Sequence, residues 1–161
     1  MEIPQPEPIT AKEHRDRLQR ATSIATRLGF FGRVEYHHVN STAGGAQYGI
    51  GPTEDQDLLA VYADAFQRDA NPEDFSMEAI LAHERGHQII CRNPRLKLLA
   101  GKTTLATEEI LASVIASLLV EDPEDSESLL LKALGEAVQY VKPTDGVRLV
   151  SELRCYLEKF L

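Results

Sequence analysis

Cysteine is scarce in this chain of 161 residues, with Cys91 and Cys155 as the whole complement. Two thiols cannot build the disulfide framework of a small secreted domain, so free thiols are expected. Long apolar runs are missing too. The longest stretch, Ile110 to Val120, is broken by Ser113 and Ser117 and falls short of the ~20 residues that a spanning helix needs, which excludes a membrane partner. The opening Met1-Glu2-Ile3-Pro4-Gln5-Pro6-Glu7-Pro8 has neither the basic nor the apolar region of a signal peptide, and a cytoplasmic location is the expectation. Positive charge is outnumbered, with 17 Lys and Arg against 25 Asp and Glu and a formal net charge of −8, which argues against nucleic acid as a ligand. Repeats are absent. With 43% hydrophobic and 26% charged residues, the composition is that of one soluble globular domain over residues 1–161.

Against these absences stands one dense motif, His83-Glu84-Arg85-Gly86-His87, which has the form H-E-x-x-H. On a helix the i, i+4 spacing stacks two side chains on one face, so His83 and His87 can aim at a single metal ion. Glu84 is rotated by roughly 100° and lies beside that ion, where a carboxylate can take a proton from a polarised water. This is the layout of a zinc metallopeptidase. The flanks are helical: Ser76-Met77-Glu78-Ala79-Ile80-Leu81-Ala82 leads in, with Asp74 or Ser76 as the N-cap, and Gln88-Ile89-Ile90-Cys91 continues to a stop at Asn93-Pro94.

An α+β fold is expected around that helix. Thr10-Ala11-Lys12-Glu13 reads as a capping box for a first helix over 11–28, ended by Gly29. Strand signals follow in Phe30–Val39, Gln47–Ile50 and Leu58–Tyr62, and a small three-stranded antiparallel sheet is the economical arrangement. After the motif helix (76–91), further helices are expected from Thr104 to Val120, ended by Pro123, then from Ser126 to Val141 and from Val147 to Leu161.

A catalytic zinc takes three protein ligands and keeps a position open, so a third ligand is needed. Glu108 and Glu109 open the next helix, and either carboxylate could complete a two-histidine, one-glutamate set. Glu109 is preferred, because Ala112, Ser113, Ala116 and Ser117 share its side of the helix and let two helix backbones approach closely. Glu108 would then point to solvent. Cys91 continues the histidine stripe, but about 12 Å of helical rise separates it from His83, which suggests a buried thiol and not a ligand. His37 and His38 are read as plain sheet residues, and His14 as exposed.

Ala82-His83-Glu84-Arg85-Gly86-His87 followed by Glu109-Ile110-Leu111-Ala112-Ser113 resembles the gluzincin metallopeptidases, especially the small cytoplasmic ImmA/IrrE-like group, over roughly residues 10 to 120. The resemblance implies a zincin-like fold, His83, His87 and Glu109 as zinc ligands, Glu84 as general base, and a polypeptide substrate such as a cytoplasmic regulator. Ser113 stands where that group commonly has Asn or Asp to orient a ligand histidine, and Arg85 where it commonly has an apolar residue. Tyr140, Arg148, Arg154 and Tyr156 are the candidate oxyanion stabilisers, and the run from Leu58 to Phe66 is a candidate sheet edge for binding substrate. Two readings from other classes stand beside the peptidase. One is a catalytically silent zinc module that docks partners through residues 124–161, and the other is a metal-free helical adaptor.

Overall fold

The computed structural model describes residues 3–42, 44–67, 75–101 and 105–161. Among them the chain forms six helices and a three-stranded sheet, an α+β architecture. Helix α1 (Ala11–Arg27) begins where the capping box places it: Thr10 Oγ1 accepts from Glu13 N at 3.1 Å, and Glu13 Oε1 accepts from Thr10 N. Its inner stripe, Ala21 and Ala25 with Leu28 at the cap, is small enough to lie flat on the sheet. Gly29, at φ 83°, then turns the chain toward the first strand.

The sheet corrects the sequence expectation. Strands β1 (Arg33–His37), β2 (Ala46–Gly49) and β3 (Leu58–Tyr62) lie in the order β1-β3-β2, with β1 parallel and β2 antiparallel to β3, so the sheet is mixed and not antiparallel. Residues 38–45 carry the chain past the position where β3 will insert, which leaves β2 on the far edge. The reason lies in composition: β3 is a continuous apolar run whose Leu59, Ala60 and Val61 are all buried, and such a strand gains most at the centre. Residues 58–66 are therefore no edge. Positions 63–66 curl into a 3₁₀ turn, and the free edge facing the rest of the molecule is that of β2.

Helix α2 (Met77–Arg92) is capped by Ser76, whose Oγ accepts from Ala79 N at 3.1 Å; the alternative cap, Asp74, lies outside the described residues. Three more helices start at prolines: α3 (Pro94–Gly101), α5 (Pro123–Ala137) and α6 (Pro143–Glu158), while α4 (Leu105–Leu119) lies between the first two. Proline at the first helical position loses no hydrogen bond, because that N–H has no partner within the helix anyway. Asn93 and Asp122 cap α3 and α5, with Asn93 Oδ1 accepting from Arg95 N and Asp122 Oδ1 from Glu124 N. Helix α3 was not expected, and α5 and α6 begin three and four residues before the sequence-based estimates. Thr104, the expected start of α4, lies outside the described residues.

Two apolar clusters flank α2. One unites α1, the sheet and the first turns of α2, and the other joins its C-terminal half to α3, α4, α5 and α6. Helix α4 is buried from Ile110 to Ser117, as expected for a helix apolar on all sides. No described helix is long and apolar enough to cross a membrane.

Candidate metal centre

The site sits where α2 crosses α4, and small residues make that crossing close. A Cβ placed on Gly86 would lie 2.5 Å from the carbonyl oxygen of Ala112, so the two backbones touch at this point. Ala112, Ser113, Ala116 and Ser117 are all buried at the same contact. Only this proximity allows a glutamate on α4 to reach histidines on α2.

The structure brings His83, His87 and Glu109 together. His83 Nε2 lies 3.0 Å from Glu109 Oε2, His87 Nε2 lies 3.1 Å from Glu109 Oε1, and the two imidazole Nε2 atoms are 3.1 Å apart. Zinc bonds of 2.0–2.1 Å in a tetrahedron set ligand separations of about 3.3 Å, within a few tenths of what is found. Two imidazole nitrogens pointed at each other across 3.1 Å repel unless a cation, proton or metal, lies between them. These three residues form a group able to hold a metal ion.

Each histidine is also held from behind. His83 Nδ1 is 3.0 Å from Ser113 Oγ, so the serine that replaces the acid or amide of the resembling pattern still reaches the ring. His87 Nδ1 is 3.3 Å from Glu108 Oε1, which corrects the expectation that Glu108 faces solvent. Adjacent residues of α4 straddle the His87 ring, Glu109 at Nε2 and Glu108 at Nδ1. Oxygen partners at both Nδ1 atoms suit a proton there, the tautomer that would leave Nε2 to a metal once the ring is neutral.

Glu84 stands outside the triad, with Oε2 accepting from Tyr48 N on the edge of β2 at 2.9 Å. Burial raises its carboxyl to about 7, partly offset by His87 and the Tyr48 N–H. That value suits a proton carrier working near neutrality. Burial pushes His83 below its ordinary value, while His87, despite its own burial, is lifted to about 9 by Glu109, Glu84 and Glu108. Hydrogen bonds from both histidines hold Glu109 well below the usual carboxylate range.

These shifts fix a pH dependence. A histidine whose value rises from 6.5 to about 9 on folding contributes stability that is complete below 6.5 and is lost as pH climbs through 9. Glu84 acts in the same direction, because ionising an enclosed carboxyl costs stability as pH passes from 4.5 to about 7. Protein stripped of metal is therefore expected to melt several degrees lower at pH 9 than at pH 6.5, read by thermal denaturation across that range. A flat profile would contradict the protonated His87–Glu109 contact.

A buried polar network braces the strand that carries Tyr48. Asp57, fully buried, accepts from Tyr48 Oη, Gly51 N, Gln88 Nε2 and the Arg92 guanidinium, tying β2 to the last turns of α2. Burial alone would raise its carboxyl, but Arg92, Gln88, Gly51 and Tyr48 together hold it well below the ordinary range. No local pattern announces this network, since Gln88 and Arg92 lie 31 and 35 residues beyond Asp57.

Other expectations sort plainly. Cys91 is half-buried on the cleft wall, with Sγ 4.0 Å from Glu108 Oε1, outside the triad. His14 is half-buried with its ring against Tyr36, and His37 and His38 bond to Glu35 and to Tyr36 and Glu7, away from the site. None of Tyr140, Arg148, Arg154 and Tyr156 lines the cleft of about 570 Å³ that opens over the triad. Lys132 of α5 does, and sequence reasoning missed it because only the packing of α5 across α4 and α2 brings it there.

No protein-family model, curated protein or solved structure matches this chain.

Proposed function

We propose that this protein is a zinc-dependent peptidase with a zincin-like fold, cleaving a polypeptide in the cytoplasm. The observation that carries the reading is the convergence of His83 Nε2, His87 Nε2 and Glu109 on one point, with Glu84 beside it and bound to none of the three. His83, His87 and Glu109 would hold the zinc. Zinc held there would supply Lewis acidity, polarising a water and a carbonyl and bringing the pKa of that water toward ~7. Glu84 takes the water's proton as the scissile carbonyl is attacked, then passes it to the departing amine. The Tyr48 N–H would keep the carboxylate aimed, and β2, an outer strand of the sheet, would pair with a substrate strand through its remaining outward backbone groups.

A catalytically silent zinc module is the less favoured reading. Its only sequence support is Ser113, whose hydroxyl lies 3.0 Å from His83 Nδ1, and a buried glutamate with a raised pKa is a cost that a purely structural site has no need to carry. The test is cleavage of an unstructured polypeptide by zinc-loaded protein, lost on chelation and regained when zinc is returned. Cleavage that survives chelation contradicts the reading.

The support behind His87 yields a further expectation. Glu108→Ala should weaken zinc binding about 10- to 100-fold in a competitive chelator titration, the range found when a group orienting a ligand histidine is lost. Unchanged affinity would show that His87 does not depend on this carboxylate.

A further inference from the structure

Glu84, Gln88 and Arg92 are spaced four residues apart and form one stripe of α2, and all three bond toward the segment 48–57. The neighbouring stripe, His83 and His87, meets Glu109 on α4. Helix α2 therefore presents the metal group on one side and grips β2 with the other. Tyr48 is held twice: its backbone N–H donates to Glu84 Oε2 at 2.9 Å, and its phenol donates to Asp57 Oδ2 at 2.8 Å. Asp57 also accepts from Gln88 Nε2 at 3.0 Å and from the Arg92 guanidinium, while Arg92 Nη2 donates to Gly51 O at 2.8 Å. The segment is thus tied to α2 at Glu84 and again at Arg92, about 12 Å further along the helix axis.

The carboxylate between these ties has a fixed seat. The backbone carbonyl of Asp57 accepts from Arg33 N at 2.8 Å, and a Cβ on Gly32 would collide with that carbonyl. A Cβ on Gly51 would collide with the carbonyl oxygen of Gln56, so residues 56 and 57 are wedged between two glycines, backbone against backbone. Stability is a weak reason for a buried acid here, because apolar side chains in place of a buried ion pair are often neutral or stabilising.

We infer that Asp57 is a positioning residue for the reaction, setting through Tyr48 and Arg92 the gap between β2 and α2. The inference rests on the peptidase reading, in which the substrate strand rides on β2 while Glu84 and the two histidines ride on α2. A wider gap carries the scissile bond away from the metal group and the base, yet leaves the substrate paired with β2. The turnover step suffers and binding does not.

Two variants of the full chain test this. Tyr48→Phe removes the phenol's bond and keeps the ring, and Arg92→Lys keeps the charge but loses the planar fork that spans Asp57 and Gly51. The probe is β-casein, an unstructured polypeptide, cleaved by zinc-loaded protein. Each variant is expected to lower kcat about tenfold or more, since a misplacement of about 1 Å costs about 10²-fold, with KM held within about twofold and zinc stoichiometry unchanged. A second readout needs no activity. The amide proton of residue 48 should move upfield in nitrogen-edited NMR spectra, toward its position in Glu84→Ala, as its bond to Glu84 lengthens. A lower melting temperature with kcat intact overturns the inference and leaves Asp57 a stabilising residue only. A raised KM with unchanged kcat overturns it too, as does an amide proton that stays in place. Zinc-loaded wild-type protein that leaves casein uncut would sink the peptidase reading, while the amide proton still decides whether Asp57 aims Glu84.

Discussion

Glu84→Gln is expected to bind zinc as the unmodified protein does and to lose cleavage by about 10²- to 10⁴-fold, the contribution of a positioned proton carrier. The substitution preserves shape. A glutamine oxygen can still accept from Tyr48 N, so the edge of β2 keeps its anchor to α2. Metal content should hold because Glu84 is not part of the His83, His87, Glu109 group. Stability should also hold or rise above pH 7, since burial raises the Glu84 carboxyl to about 7 and an uncharged amide avoids the cost of ionising it there. Rate, metal content and melting temperature measured together separate a lost proton carrier from a damaged site. Full activity in this variant would remove Glu84 from the chemistry.

Gly86→Ala is expected to cause the largest structural loss from one added methyl group. The new Cβ would sit 2.5 Å from the carbonyl oxygen of Ala112 and 3.0 Å from its Cα, both of them backbone atoms inside a buried helix. No rotamer relieves that contact, so α4 must shift. Overpacking of this kind costs about 1–3 kcal/mol, and a shift of about 1 Å carries Glu109 out of reach of a shared ion. Chemical denaturation should show the loss of stability, and zinc affinity should fall at least about 100-fold. Gly135→Ala serves as the control: nothing lies within 4 Å of the added carbon in α5, so it should be neutral or slightly stabilising. Wild-type zinc affinity in the Gly86→Ala protein would show that the close crossing of α2 and α4 is not what assembles the site.

What could be read from the chain was whatever depends on spacing along one element or on a short range of sequence. Thr10 with Glu13 and Ser76 with Ala79 are contacts three residues apart, and both form as their residue types require. The pairing of His83 with His87 is a matter of one helical turn, and the small residues after Glu109 marked the face of α4 that meets α2. Prolines were the instructive failure. Pro94 and Pro123 signal helix ends in the sequence, yet these two and Pro143 each occupy the first turn of the next helix, Pro94 and Pro123 behind an Asn or Asp cap. The same residue signals both events, and only the preceding cap distinguishes them.

Features that depend on three-dimensional order were not legible. Strand signals cannot say that β3 enters between β1 and β2, because pairing order follows from which strand gains most by full burial. Glu108 lies about 100° around α4 from Glu109, which suggests solvent, but a crossing this close lets one ring, His87, meet Glu109 with Nε2 and Glu108 with Nδ1. Asp57 and Lys132 reach their places through contacts between residues dozens of positions apart, for which no local pattern exists.

The central claim is that one zinc ion is held by His83, His87 and Glu109, and X-ray absorption at the zinc edge of the loaded protein tests it directly. The account predicts a first shell of nitrogen and oxygen at about 2.0–2.1 Å, with the multiple-scattering signature of two imidazoles. A sulfur scatterer at about 2.3 Å, drawing Cys91 into the site, or a shell without imidazole would contradict it.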